Sequence, residues 1–114
     1  MAAASIDILT LSVTATAALT INRAVSHAGA VPAAAGNNLG FAVYGGAIGD
    51  RVPVRVMGTA VAEAGAAIAA NALVELDSSG RVVTKSAGVT VGRLAPGSVA
   101  SAAGYQVEVI LIPN

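Results

Sequence analysis

Few side chains in this sequence are of a kind that does chemistry, and none is spaced to do it. His27 is the one histidine and there is no cysteine. Zinc sites gather several clustered ligands, so His27, beside Gly29 with no acidic pair nearby, reads as an ordinary loop residue. The carboxylates Asp7, Asp50, Glu63, Glu75, Asp77 and Glu108 stand singly. No spacing among them suggests a paired-carboxylate site. A serine triad needs a histidine with partners, and His27 has none in sight. The glycine-rich stretch Gly45 to Asp50 lacks the Lys-Ser/Thr ending of a phosphate-binding loop, and a strand pattern follows it in place of a helix. Lys85 comes after a hairpin signal, yet the tip of that hairpin is Ser78-Ser79-Gly80. A lysine-modified carrier domain would show its lysine at the tip. The reading is a protein that is not an enzyme and has no cofactor and no metal.

Composition narrows the partners. The 114 residues include six basic and six acidic ones, for a net charge of zero. Arg23, Arg51, Arg55, Arg81, Lys85 and Arg93 are scattered, whereas nucleic-acid binding calls for clustered cations that neutralise phosphates. Neither nucleic acid nor an anionic membrane is an expected partner. Mean hydropathy is high at +0.76, but the most apolar window, Thr59 to Val74, owes its apolarity mostly to alanine and holds Glu63, Gly65 and Asn71. A spanning helix needs about 20 predominantly apolar residues. The N-terminal stretch has no basic residue ahead of its apolar run, and Asp7 occupies that place, which argues against a secretory signal. A chain made and kept in a cytoplasm is the expectation.

Hydrophobic residues make up 55% of the chain but aromatics only 3%. Alanine and valine bury little area each, so at ~25 cal/mol per Å² the core yields little per residue. Phe41, Tyr44 and Tyr105 bring the only large rings. Subunit contacts are therefore expected to supplement a thin core.

The elements that must position these residues read as strands. Residues 1–22 form an extended arm: Ile6 and Ile8 share one face, Leu9, Leu11 and Val13 the other. The alternation slips at Ile8-Leu9, which suits a bulge or a change of partner. An ordinary edge strand of the domain is the competing reading. Residues 23–114 form the β-rich domain. Its first part is loop-rich, with a short strand from Phe41 to Tyr44. Gly49-Asp50 makes a tight turn into a strand from Arg51 to Met57, whose Pro53 places it at an edge or leaves that side unpaired. Gly58 separates this from a strand at Thr59 to Glu63, and Ala66 to Ala70 reads as a turn or a single helical turn. Ala72 to Leu76 and Arg81 to Thr84 flank the hairpin turn Asp77 to Gly80, with Asp77 opening it and Gly80 able to take positive φ. Val89 to Leu94 is a short strand, and after Gly104 the stretch Tyr105 to Ile112 is expected to be the longest uninterrupted one. Strands every 8 to 12 residues with glycine turns mean an all-β fold: a small β-sandwich or β-barrel-like (tulip-like) domain with Gly/Ala-rich loops and an extended N-terminal arm.

Taken in order, Gly49-Asp50, the Val-rich Arg51 to Met57, Gly58, Thr59 to Glu63, Ala64-Gly65-Ala66, Leu73-Val74, Asp77 to Val83, Val91 to Leu94 and Val107 to Leu111 resemble the capsid cement, or head decoration, proteins of tailed bacteriophages. The similarity covers the last two thirds of the chain and extends more loosely over Arg23 to Gly40. One departure is Asn71-Ala72, where the family commonly has glycine. Asparagine tolerates a left-handed φ, so the turn survives. The resemblance implies a homotrimer on the outer surface of an expanded icosahedral head, assembled in the host cytoplasm. There it would bridge major capsid protein subunits at three-fold and quasi-three-fold positions. The residues expected to touch capsid protein or a neighbouring subunit are Ile6, Ile8, Leu9, Leu11 and Val13 of the arm. Gly49, Asp50, Gly58, Asp77, Gly80 and Gly104 are expected to be structural turns. Two other readings fit the same composition: a tail or head-fibre component, and a carbohydrate-binding β-domain using Tyr44 or Tyr105.

Overall fold

The computed structural model describes residues 4–114, so the first three residues of the expected arm lie outside the described ones. Among the described residues there is no helix. The strands are β1 (Asp7–Thr14), β2 (Ala24–Val25), β3 (Gly40–Ala42), β4 (Arg51–Glu63), β5 (Leu73–Leu76), β6 (Val82–Thr84), β7 (Gly92–Leu94) and β8 (Gln106–Leu111). They form one antiparallel sheet in the order β2-β3-β4-β8-β7-β5-β6, with β1 added against β4. The sheet curls. At its far end β6 returns to the residues just past β4, through a parallel bridge between Ala64 and Val82 and a bond from the Gly65 amide to the Val82 carbonyl. The all-β expectation is met in its barrel-like form.

β4 organises the molecule, and it differs from the two strands expected on either side of Gly58. It runs unbroken through 13 residues and exceeds β8, which was expected to be longest. Its buried residues keep even numbers throughout, from Val52 and Val54 to Ala60 and Ala62. Its first half pairs with β1 and β3 and its second half with β8. Gly58, at φ 93°, lies at the changeover. Pro53 is not on an edge strand. The Val43 amide donates to the Pro53 carbonyl at 2.9 Å, and proline has no N–H to return that bond, so the ladder between β3 and β4 stops there. Ala66 to Ala70 forms no helical turn. Ile68 is bridged to Ala100 instead, because a single buried isoleucine anchors the loop and flanking alanines give a helix no apolar face.

Two clusters make the core. The larger fills the curled half, around Phe41, Ile68, Leu76, Leu94 and Val109. The smaller joins Ala15, Leu19, Val25, Ala42, Val52 and Val54. Phe41 is the one aromatic ring buried; Tyr44 and Tyr105 are exposed. Ala15 and Leu19 are also buried, which ties the second half of the stretch 1–22 to the domain.

Candidate functional site

β1 stands out because it combines strong pairing with poor burial. It is antiparallel to β4 from Asp7 opposite Gly58 to Thr14 opposite Arg51. The register breaks on both sides of Leu9, where the sequence parity slips. Leu11 and Val13 lie opposite Val54 and Val52, and residues opposite one another share a face. Val13 accordingly packs on the smaller core cluster. Toward the N-terminus that support ends. Ile6 is 68% exposed and Ile8 72%. Leu9 and Leu11 are exposed too, as is Met57 of β4. Among the described residues β1 pairs with β4 alone, so its other edge keeps unpaired N–H and C=O groups. Such an edge is a template for a further strand.

Polar contacts hold this end of β1 in place. The Ile6 amide donates to the Thr59 hydroxyl at 2.7 Å, and that hydroxyl donates to Glu108 Oε2 on β8 at 2.6 Å. The Thr59 amide in turn donates to the Ile6 carbonyl at 2.7 Å. An ion pair joins Asp7 Oδ1 and Arg55 Nη1 at 3.0 Å. Gly58 makes the approach feasible, since a Cβ there would run into the Ile6 carbonyl and crowd the Ile8 amide.

The residues expected at turns serve the scaffold. Gly49, at φ 93°, and Asp50 precede β4, and Asp50 Oδ2 accepts the Ala47 amide at 2.9 Å. Asp77 Oδ1 accepts the Ser79 and Arg81 amides, both at 2.9 Å, while Oδ2 meets Arg81 Nε at 3.0 Å. Gly80 has φ 79° and Gly104, in the turn before β8, has φ 90°. Asn71 takes φ 64°, as expected of an asparagine standing in for glycine. Glu63 completes a half-buried charge network with Arg23 at 3.1 Å and Arg81 at 3.9 Å. These contacts fasten the hairpin between β5 and β6 to the end of β4.

No catalytic constellation forms from these residues. Among the described residues no three of His, Asp and Glu gather as metal ligands. His27 lines a groove of about 250 Å³ with Asn38, Leu39, Val56, Met57, Pro113 and Asn114, and no Asp or Glu side chain is among the lining. Sequence reasoning selected Ile6, Ile8, Leu9 and Leu11, which are exposed, and Val13, which packs on the core, but missed Arg55, Thr59 and Glu108. Thr59 and Glu108 meet only because the register of β4 with β8 sets Glu108, opposite Val61, on the diagonal from Thr59, and no local pattern announces that. In comparisons with known proteins, a family model described as phage cement protein matches residues 4–112. No curated protein matches the sequence.

Proposed function

The chain belongs to the phage cement protein family, and from that premise we propose that it fastens neighbouring major capsid protein subunits on the outer surface of an expanded icosahedral head. Membership gives a structural role in the phage capsid and association with capsid proteins. The finer reading is a homotrimer at three-fold and quasi-three-fold positions, with β1 as the element that meets capsid protein or a neighbouring cement subunit.

The observation that carries this reading is β1 itself, with Ile8 on it and Ile6 just before it exposed, and with no partner on its outer edge among the described residues. Backbone bonds along such an edge give affinity, and the alternating side chains give register. Fully burying an isoleucine contributes about 1.5–3 kcal/mol, so one β1 binds modestly. Joined in a trimer, three of them gain avidity even when each contact is weak. Zero net charge fits adhesion through apolar and backbone contacts better than through charge. Ile6→Asp and Ile8→Asp test the reading without disturbing the core, because both residues are exposed. The expected result is a folded protein that no longer co-sediments with expanded shells. Undiminished co-sedimentation of the double variant would remove β1 from the interface.

A further inference from the structure

We propose that β1 and the two residues before it are two mechanical units: a fixed half, Thr10 to Thr14, and a releasable half, Ser5 to Leu9, latched onto the domain by Thr59 and Arg55. The use of the latch rests on the reading of β1 as the docking element, but its existence does not.

The two halves are held by different forces. The fixed half keeps one regular register with β4, from Thr10 opposite Arg55 to Thr14 opposite Arg51, and Val13 anchors it in the core. Opening it would uncover Val52 and Val54, both buried. Residues 5–9 bury no large side chain, and Ile6 and Ile8 point their apolar surface at solvent. Beyond an interrupted pairing of Asp7 with Gly58 and Leu9 with Met57, they are held by the Thr59 hydroxyl and amide on Ile6, and by Arg55 on Asp7, all in solvent-exposed or partly buried settings. Hydrogen bonds in such places contribute about 0.5–1.5 kcal/mol net, and an exposed ion pair about 0–1. The register break around Leu9 separates the halves and supplies the hinge. Local opening at low cost is expected where apolar contacts are few and backbone bonds are exposed.

Glu108 gives the latch its direction. By accepting the Thr59 proton, its carboxylate turns the hydroxyl lone pairs toward the Ile6 amide. Thr59 is therefore a positioning residue, oriented from β8, that parks the releasable half against its own domain. Released, residues 5–9 swing on Leu9 and bring Ile6, Ile8 and a freed backbone to a partner. Parked, they keep their inner edge against β4.

Residue-resolved amide hydrogen exchange on the full-length protein tests this. In the wild type the amides of residues 6–9 should exchange well before the inward-facing amides of Leu11 and Val13. Thr59→Val keeps the branched shape and removes the hydroxyl, and should speed exchange at residues 6–9 roughly three- to tenfold while leaving Leu11 and Val13 unchanged. Asp7→Asn should act in the same sense and on the same residues. Uniform protection along β1 in the wild type, or a Thr59→Val effect that is absent or spreads equally over residues 6–13, would overturn the two-unit account. Shell co-sedimentation of the same variants separates the readings. Loss of binding in Ile6→Asp/Ile8→Asp with uniform exchange leaves docking intact and removes the latch. Segmented exchange with undiminished binding of that double variant does the reverse.

Discussion

Asp77 shows how much a single carboxylate does in this fold. It accepts two backbone amides, Ser79 and Arg81, and also holds the Arg81 side chain. Gly65 provides the room, since a Cβ there would collide with Asp77 Oδ2. Asp77→Ala leaves these donors without their acceptor, and a loss of about 1–3 kcal/mol in denaturant unfolding is expected. Glu75 plays a similar part for the neighbouring loop, accepting the Ser86 amide at 2.6 Å and the Gly88 amide at 3.0 Å. Those two bonds, Ser86 first, hold its pKa below the ordinary 4.5, with Lys85 adding a smaller push against a slight desolvation penalty. A carboxylate whose pKa is depressed by folding stabilises the protein above its unfolded-state pKa, and that contribution fades as pH falls through the folded value. Wild type should therefore exceed Glu75→Gln in stability at neutral pH, with the gap closing in acid below about pH 4.5. A gap that stays constant between pH 7 and pH 3 would count against this role for the carboxylate. Asp77 was legible in the sequence because Asp-x-x-Gly writes its turn locally. Thr59 was not, because its importance depends on two partners, Ile6 and Glu108, that are 53 and 49 residues away.

At the scale of elements, the pairing of β1 with β4 changes how the arm must be probed. Removing residues 1–14 would strip Val13 from the core and uncover the β4 edge, so loss of shell binding after that deletion would not distinguish contact from unfolding. The exposed-face variants avoid this: Ile6→Asp and Ile8→Asp should shift stability by no more than about 0.5 kcal/mol. Gly58 belongs to this scale as well. Gly58→Ala forces a left-handed φ on a residue with a side chain and drives that side chain into the Ile6 carbonyl. The strain is of order 1–3 kcal/mol, and the expected outcome is a lower unfolding midpoint together with loss of exchange protection at residues 6–9. The parity slip at Ile8-Leu9 was legible because a side-chain period of two leaves a visible fault when it breaks. What β1 pairs with was not, since an amphipathic strand states its faces and never its neighbour. Gly58 misled for a related reason. Between two Val/Ala runs a glycine looks like a boundary, and only the close crossing of the arm shows why glycine stands within a continuous strand.

Across the whole molecule, the core is thin for its length. Phe41 is the one buried ring, among alanines and valines. Phe41→Ala should cost about 3–5 kcal/mol, a large share of the 5–15 kcal/mol typical of a domain, and should leave the isolated protein partly unfolded in calorimetry. Exposed apolar residues are plentiful: Ile48 and Tyr44 join Ile6 and Ile8 among the most exposed. A thin interior with an adhesive exterior suits a protein completed by its neighbours. Composition made the thin interior legible, whereas the curl of the sheet onto Ala64 and Gly65 was hidden, being a non-local closure. We propose that this cement protein is a trimer that joins expanded shells through β1. The most direct test is the mass of the purified protein, alone and after incubation with expanded and unexpanded empty heads. The expected result is a trimer that co-sediments with expanded shells only. A monomer that stays in the supernatant with both kinds of shell would contradict it.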